Sequence, residues 1–187
     1  MAEMNRVSRW FVNASTTRRS IRMLDSIGSH LNLPPSARIL ELGSGQGALS
    51  ALLQERYHPG RLVVTDFDPK QVEAARAYLC KRFGNLPSTV NLRQVDAKAL
   101  PFDDGSFDGV FAILMLHHVE AHLTEYRQRP EALREIRRVL APGGFIVFSD
   151  FVRTRDLRRT LTELGFVPLL EKPGWAGRYL GVFRSPA

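Results

Sequence analysis

Cysteine is almost absent from this 187-residue chain: Cys80 stands alone. No internal disulfide framework can brace the fold, and the usage fits a reducing compartment such as the cytoplasm. Long apolar runs are missing as well. The longest near the middle, Val110 to Leu116, falls far short of the roughly 20 residues needed to span a bilayer. The N-terminus has no apolar stretch of the kind that marks a secretory signal. Acidic residues are scarce at the start, where Glu3 is the only one before Asp25. The Arg-, Ser- and Thr-rich stretch from Asn5 to Leu24 has the composition of an organellar transit peptide, so such targeting stays open. Against it, Ile21, Leu24, Ile27 and Leu31 recur at helical spacing and favour an amphipathic helix. Lysine is rare too, because the 26 basic residues are nearly all arginine.

The formal net charge of +7 favours polyanionic partners, nucleic acid among them. The densest basic group is Arg134, Arg137, Arg138, Arg153, Arg155, Arg158 and Arg159. It is interleaved with Asp and Glu on helical segments, which reads as a solvated helix face. A nucleic-acid partner is therefore allowed but not required. An apolar share of 44% and a charged share of 24% are those of an ordinary globular protein with one core. We expect a helical lid segment over residues 1–36, ending at Pro34-Pro35, followed by a single domain over 37–187.

What is present begins with Arg38-Ile-Leu-Glu-Leu-Gly-Ser-Gly-Gln-Gly47. An apolar run ending in an acid and three close glycines, with a helix-like segment after it, reads as a buried parallel strand turning into a helix N-terminus. Residues without side chains let a ligand approach the backbone. A second strand, Arg61 to Asp66, and a third, Val90 to Val95, each end at an acid. A fourth runs from Phe107 to Leu114. Leu133, Ile136, Val139 and Leu140 form the stripe of a helix that stops at Ala141-Pro-Gly-Gly144, before a fifth strand, Phe145 to Ser149. A helix from Thr154 to Leu164 precedes two extended runs, Phe166 to Leu170 and Arg178 to Phe183, split by Pro173-Gly174-Trp175 as in a hairpin. Alternating strands and helices predict a doubly wound α/β fold with a mostly parallel sheet.

Ligands of such sheets bind beyond the carboxyl ends of the strands. An acid closing the second strand can accept both hydroxyls of a ribose, and Asp66 lies about twenty residues past the glycine loop, as an adenosine-binding acid does. NAD and S-adenosylmethionine both remain open at this point. The loop reads G-x-G-x-G, with Ala48 at the third glycine position of the dinucleotide pattern, a permitted variant. Asp96-Ala97 offers a carboxylate for an adenine amino group and a backbone N–H for the ring.

Four segments, ILELGSGQGALS, VVTDFDPKQVEAAR, VDAKALPFDDGSFDGVFAILMLHHV and ALREIRRVLAPGGFIVFSDF, resemble class I S-adenosylmethionine-dependent methyltransferases. The likeness is greatest to the ubiquinone/menaquinone-biosynthesis C-methyltransferase branch, in the family's order over residues 38–151. The resemblance implies a Rossmann-like, seven-stranded, mostly parallel sheet whose antiparallel strand is C-terminal. It implies Glu41, Gly43, Ser44 and Gly45 around the methionine part of the cofactor, and Asp66 on the ribose with Phe67 beside the adenine. Asp96 and Ala97 would read the adenine edge, and Ile113 and Leu114 would border the methionine end. S-adenosyl-L-homocysteine would be the product.

The acceptor is not assigned by any motif. His117 and His118 are the conspicuous base candidates, since histidine titrates near neutral pH. His118 and His122, four apart, have a spacing that could also meet zinc, but no third ligand accompanies them, and no metal is expected. The quinone-type enzymes carry a substantial insertion after the fifth strand, where this chain has only Val152 to Arg155. Cover must then come from the N-terminal segment, with Trp10 and Phe11, and from Glu120 to Arg129. We expect an open acceptor side suited to a bulky substrate or completed by a partner. The rival readings are a non-catalytic cofactor-binding subunit and an NAD-dependent oxidoreductase.

Overall fold

A computed structural model describes residues 18, 20–31, 33–119, 127–173 and 178–187. Its centre is β1 (Arg38–Leu42), whose short apolar run is buried on both faces, as expected of an interior parallel strand. β2 (Arg61–Asp66) and β3 (Val90–Gln94) extend the sheet on one side, and β4 (Phe107–Ile113) and β5 (Leu140–Asp150) on the other. The full order is β3-β2-β1-β4-β5-β7-β6, with β6 (Val167–Pro173) at one edge and β7 (Tyr179–Arg184) inside it. β7 runs antiparallel to both neighbours, and every pair among β1 to β5 is parallel. The seven-stranded, mostly parallel sheet with its antiparallel C-terminal strand is the one expected.

Helices cover both faces: α1, with described residues 20–27, then α2 (Ala48–Tyr57), α3 (Pro69–Phe83), α4 (Arg129–Val139) and α5 (Thr154–Glu163). The two-residue period of a strand decides what each helix meets. Leu40 and Leu42 join Leu133, Ile136, Leu157 and Leu161 in one core. Ile39, Leu62 and Val64 join Leu24, Ile27, Leu53 and Leu79 in the other. The same alternation turns Glu41 away from the α4–α5 side, under α2. At the opposite end of β1, the Arg38 backbone N–H and guanidinium both donate to Asp108 on β4, with two of the bonds at 2.8 Å. That clamp fixes the register of the two central strands.

The strand and helix boundaries differ from expectation at one joint. Leu140 belongs to β5, not to the α4 stripe: its ψ is 131° and it pairs with Phe107. β5 therefore starts at Leu140 rather than Phe145. A register shift between Phe107 and Gly109 takes up the Pro-Gly-Gly residues, with Gly143 at φ +74°. β6 also runs on to Pro173; its prolines lie on an edge strand, where a missing N–H is tolerated. Trp10, Phe11 and Trp175 lie outside the described residues.

Candidate functional site

β1 and its neighbours β2 and β4 diverge at their carboxyl ends, the switch point of the sheet, and the glycine loop leaves β1 there. Gly43 has φ +70°, and a Cβ on it would lie 2.4 Å from that of Met115. Gly45 has φ +53° and only open space where a Cβ would stand. One glycine thus permits close packing beneath the loop, and the other keeps its top clear. Two bonds pin the loop to β2: Ser44 N–H donates to the Thr65 carbonyl, and Gly45 N–H to Asp66 Oδ2, both at 2.9 Å. Asp66 Oδ1 accepts from Asp68 N–H at 3.0 Å. A carboxylate has about four lone-pair sites, so Asp66 can brace the loop and still receive ligand hydroxyls. Phe67, next in sequence, is 70% exposed, an unusual setting for a large apolar ring.

At the end of β3 the Asp96 carboxylate accepts from Lys98 N–H at 2.9 Å, and the Lys98 ammonium reaches Gln128 at 2.8 Å. At the end of β4, Leu114 takes φ +54°, a left-handed conformation that costs a β-carbon-bearing residue about 1–3 kcal/mol. Its N–H donates to the Ser149 carbonyl at 2.8 Å, which holds it there.

These strand ends enclose a cavity of about 610 Å³ lined by Gly43, Gly45, Asp66, Phe67, Asp96 and Ala97. A hollow of about 290 Å³ adjoins it, sharing Gly43, Gly45, Gln71 and Leu114, and adds Glu41, Ser44 and Ile113. All ten residues expected around the cofactor therefore line one continuous cleft. Its two ends differ in chemistry. Asp66, Phe67, Asp96 and Ala97 offer acceptors and an aromatic face. The Glu41 end holds a carboxyl group 2% exposed, whose Oε2 accepts from Ser50 Oγ at 2.5 Å. Burial raises the Glu41 pKa to about 8; the Ser50 hydrogen bond opposes the rise, and the Asp66 carboxylate adds to it. Beside it the buried Ser44 hydroxyl has no hydrogen-bond partner among the described residues. A buried hydroxyl left unpaired in a cleft is a group shaped for a ligand.

The two histidines separate. His118 lines the larger cavity, with its pKa lowered by burial and by His117, so that it is neutral at pH 7. His117 does not line it. It is buried, donating its backbone N–H to Asp150 Oδ2 and its ring Nδ1–H to Asp150 Oδ1, both at 3.1 Å. Burial would raise the Asp150 carboxyl, but bonds from His117 and the Phe151 N–H outweigh it and hold it below the usual carboxylate range. His117 is thus a tie between β4 and β5 rather than a base facing the cleft. Asp150 is the residue that sequence reasoning missed. It ends β5 as Asp66 ends β2, and the same rule would have found it had the strand been read one residue further. His122 lies outside the described residues, among which no group of three or more His, Cys, Asp or Glu is placed to hold a metal. Among those residues, no helix is long and apolar enough to cross a membrane.

The basic group seen in the sequence is largely salt-linked. Arg138 pairs with Asp104 and Glu135, Arg153 with Asp156, and Arg158 with Glu171. Large exposed apolar residues are single and scattered: Ile21, Phe67, Phe151 and Val167. The described residues form no broad apolar patch of the kind that would favour a purely subunit-docking role.

Together, fold and cleft define a Rossmann-like domain built to hold an elongated ligand along its central strand ends, one end suited to an adenosine and the other to an amino-acid group. The sequence matches the family described as "Methyltransferase domain" over residues 40–148. The chain belongs to this family, the class I S-adenosylmethionine-dependent methyltransferases. It is 29% identical over 158 residues to phthiotriol/phenolphthiotriol dimycocerosates methyltransferase 1 of Mycobacterium ulcerans, covering 84% of this chain and 53% of that one. It is 36% identical over 114 residues to demethylmenaquinone methyltransferase of Thermus thermophilus, covering 61% and 47%. The chain spans about half the length of these curated relatives. In fold it resembles a chain from the complex between the Haloferax volcanii Trm112 methyltransferase activator and a methyltransferase, with a TM-score of 0.75, 17% identity and full coverage of both chains.

Proposed function

We propose that this protein binds S-adenosylmethionine and transfers its methyl group to a bulky acceptor that approaches from the β4–β5 side. The observation that carries the reading is the single cleft in which ten residues from four separate stretches of sequence meet. Asp66 would take the ribose hydroxyls, Phe67 would cover the adenine, and Asp96 with Ala97 would read its edge. Glu41, Ser44 and the Gly43–Gly45 backbone would hold the amino-acid end. Ile113 and Leu114 would wall the sulfur region. When bound, the cofactor supplies an electrophilic methyl group, so the protein's task is mainly alignment, which can contribute about 7–11 kcal/mol.

Neutral His118 is the described residue placed to accept a proton where the acceptor must lose one, and its lowered pKa keeps it unprotonated at pH 7. Only residues 151–153 connect β5 to α5, which supports an open acceptor side. The N-terminal segment reaches the cleft through Ser20 of α1; the rest of the expected cover, residues 1–17 and 120–126, lies outside the described residues.

Calorimetric titration with S-adenosylmethionine, S-adenosylhomocysteine and NAD tests the reading. Micromolar binding of the first two without NAD is expected; binding of NAD alone would overturn it. Acceptors are then screened among lipid-linked, protein and RNA substrates with radiolabelled methyl transfer.

A further inference from the structure

Among the described residues, Glu41 is a buried acid with no basic partner, standing where a cationic ligand is expected. The described residues of the elements around it offer no compensating charge. Ser50 comes from α2, Thr65 and Asp66 from β2, Ser20 from α1 and Gln71 from α3. No lysine, arginine or histidine among the described residues lines this end of the cleft. His118 lines only the larger neighbouring cavity. Removing a bare carboxylate from water beside a second carboxylate is costly, so the group keeps its proton. The amino-acid end of the proposed cofactor carries an ammonium group, and an opposite charge within about 4–6 Å reverses that preference. Ser44, with its unpaired hydroxyl at the same end, is available to the carboxylate of the same ligand.

We propose that Glu41 is protonated in the free protein and releases its proton to solvent when the cationic amino-acid end of the cofactor enters. Cofactor binding is thereby coupled to proton release, and the site selects a zwitterionic ligand over an anionic nucleotide. This rests on the S-adenosylmethionine reading above. With a free-state pKa of about 8, Glu41 is mostly protonated at pH 7. Affinity then rises about tenfold from pH 6 to pH 7 and levels off above pH 8. His118 is already neutral at pH 7 and has no proton to give.

The test is calorimetry at pH 7 in two buffers of different ionisation enthalpy, using S-adenosylhomocysteine and, as a control without the amino-acid end, 5′-methylthioadenosine. We expect close to one proton released with the first and none with the second. Glu41→Gln, which can still accept from Ser50, should lose both the release and the pH slope. Binding of S-adenosylhomocysteine without proton release, equal release with methylthioadenosine, or release persisting in Glu41→Gln would each overturn the coupling. Failure of S-adenosylhomocysteine to bind wild type at any pH would instead overturn the cofactor reading itself. Should Glu41→Gln not fold, the two-ligand comparison on wild type still decides.

Discussion

A methyl group added at position 43 would stand 2.4 Å from Met115 Cβ, in a backbone with φ +70°, whereas one added at position 45 would meet nothing within 4 Å. Gly43→Ala should therefore lower thermal stability sharply and weaken S-adenosylhomocysteine binding at least tenfold. Gly45→Ala should keep the fold, losing about 1–2 kcal/mol to its left-handed backbone. Thermal unfolding and calorimetry on the two variants check the contrast. Asp66→Ala removes the acceptor that braces Gly45 and Asp68 and the charge that meets the ribose. At about 1.5–3 kcal/mol for a charged hydrogen bond, affinity should drop roughly 10- to 150-fold; unchanged affinity would remove Asp66 from the site. Glu41 also marks the pH profile of the free protein. Its folded-state pKa of about 8 lies above its ordinary 4.5, so its stabilising effect is complete below pH 4.5 and is lost as pH rises through 8. Glu41→Gln should flatten the decline in melting temperature between pH 5 and pH 8.

Asp150 works at the scale of the strands. Its carboxylate receives His117 and the Phe151 N–H, tying the end of β5 to the turn after β4. Asp150→Ala leaves those buried donors unpaired and should cost about 3 kcal/mol or more, read by denaturant unfolding. The sign of its pH effect is opposite to that of Glu41. With its pKa depressed, Asp150 stabilises above its ordinary value and loses that contribution as the solution is acidified. Strand ends were legible in the sequence because glycines and acids punctuate apolar runs. The start of β5 was not, since Leu140 suits a helix stripe and a strand equally well until Phe107 is seen opposite it. Nor was the fate of His117, whose partner lies thirty-three positions away on another strand. The burial of Glu41 under Ser50 likewise depends on strand alternation meeting a helix turn, which no local pattern displays.

For the whole molecule, a ligand that binds only the folded state stabilises it by mass action, by about 2.7 kcal/mol at a hundredfold excess over Kd. For a chain of this size that corresponds to a rise in melting temperature of roughly 5–10 °C. A thermal shift with S-adenosylhomocysteine should reach this range and, at the same ligand concentration, fall to about half of it or less in Asp66→Ala. Arg138 on α4, Arg153 at the start of α5 and Arg158 on α5 are each paired with an acid, which takes these three of the densest basic group out of any basic track. Methyl transfer to RNA, if found in the acceptor screen, should therefore depend only weakly on salt.

The position of β7 between β5 and β6 also has a consequence for biosynthesis. During synthesis, β6 leaves the ribosome before the strand that joins it to the sheet. Until Tyr179–Arg184 follow, β5 presents an open edge of the kind that recruits other extended chains. A ribosome stalled on an extended chain, with β5 and β6 outside its exit tunnel and Tyr179–Arg184 still inside, should hold a nascent chain with a formed centre, an unpaired flank and the greatest need of a chaperone.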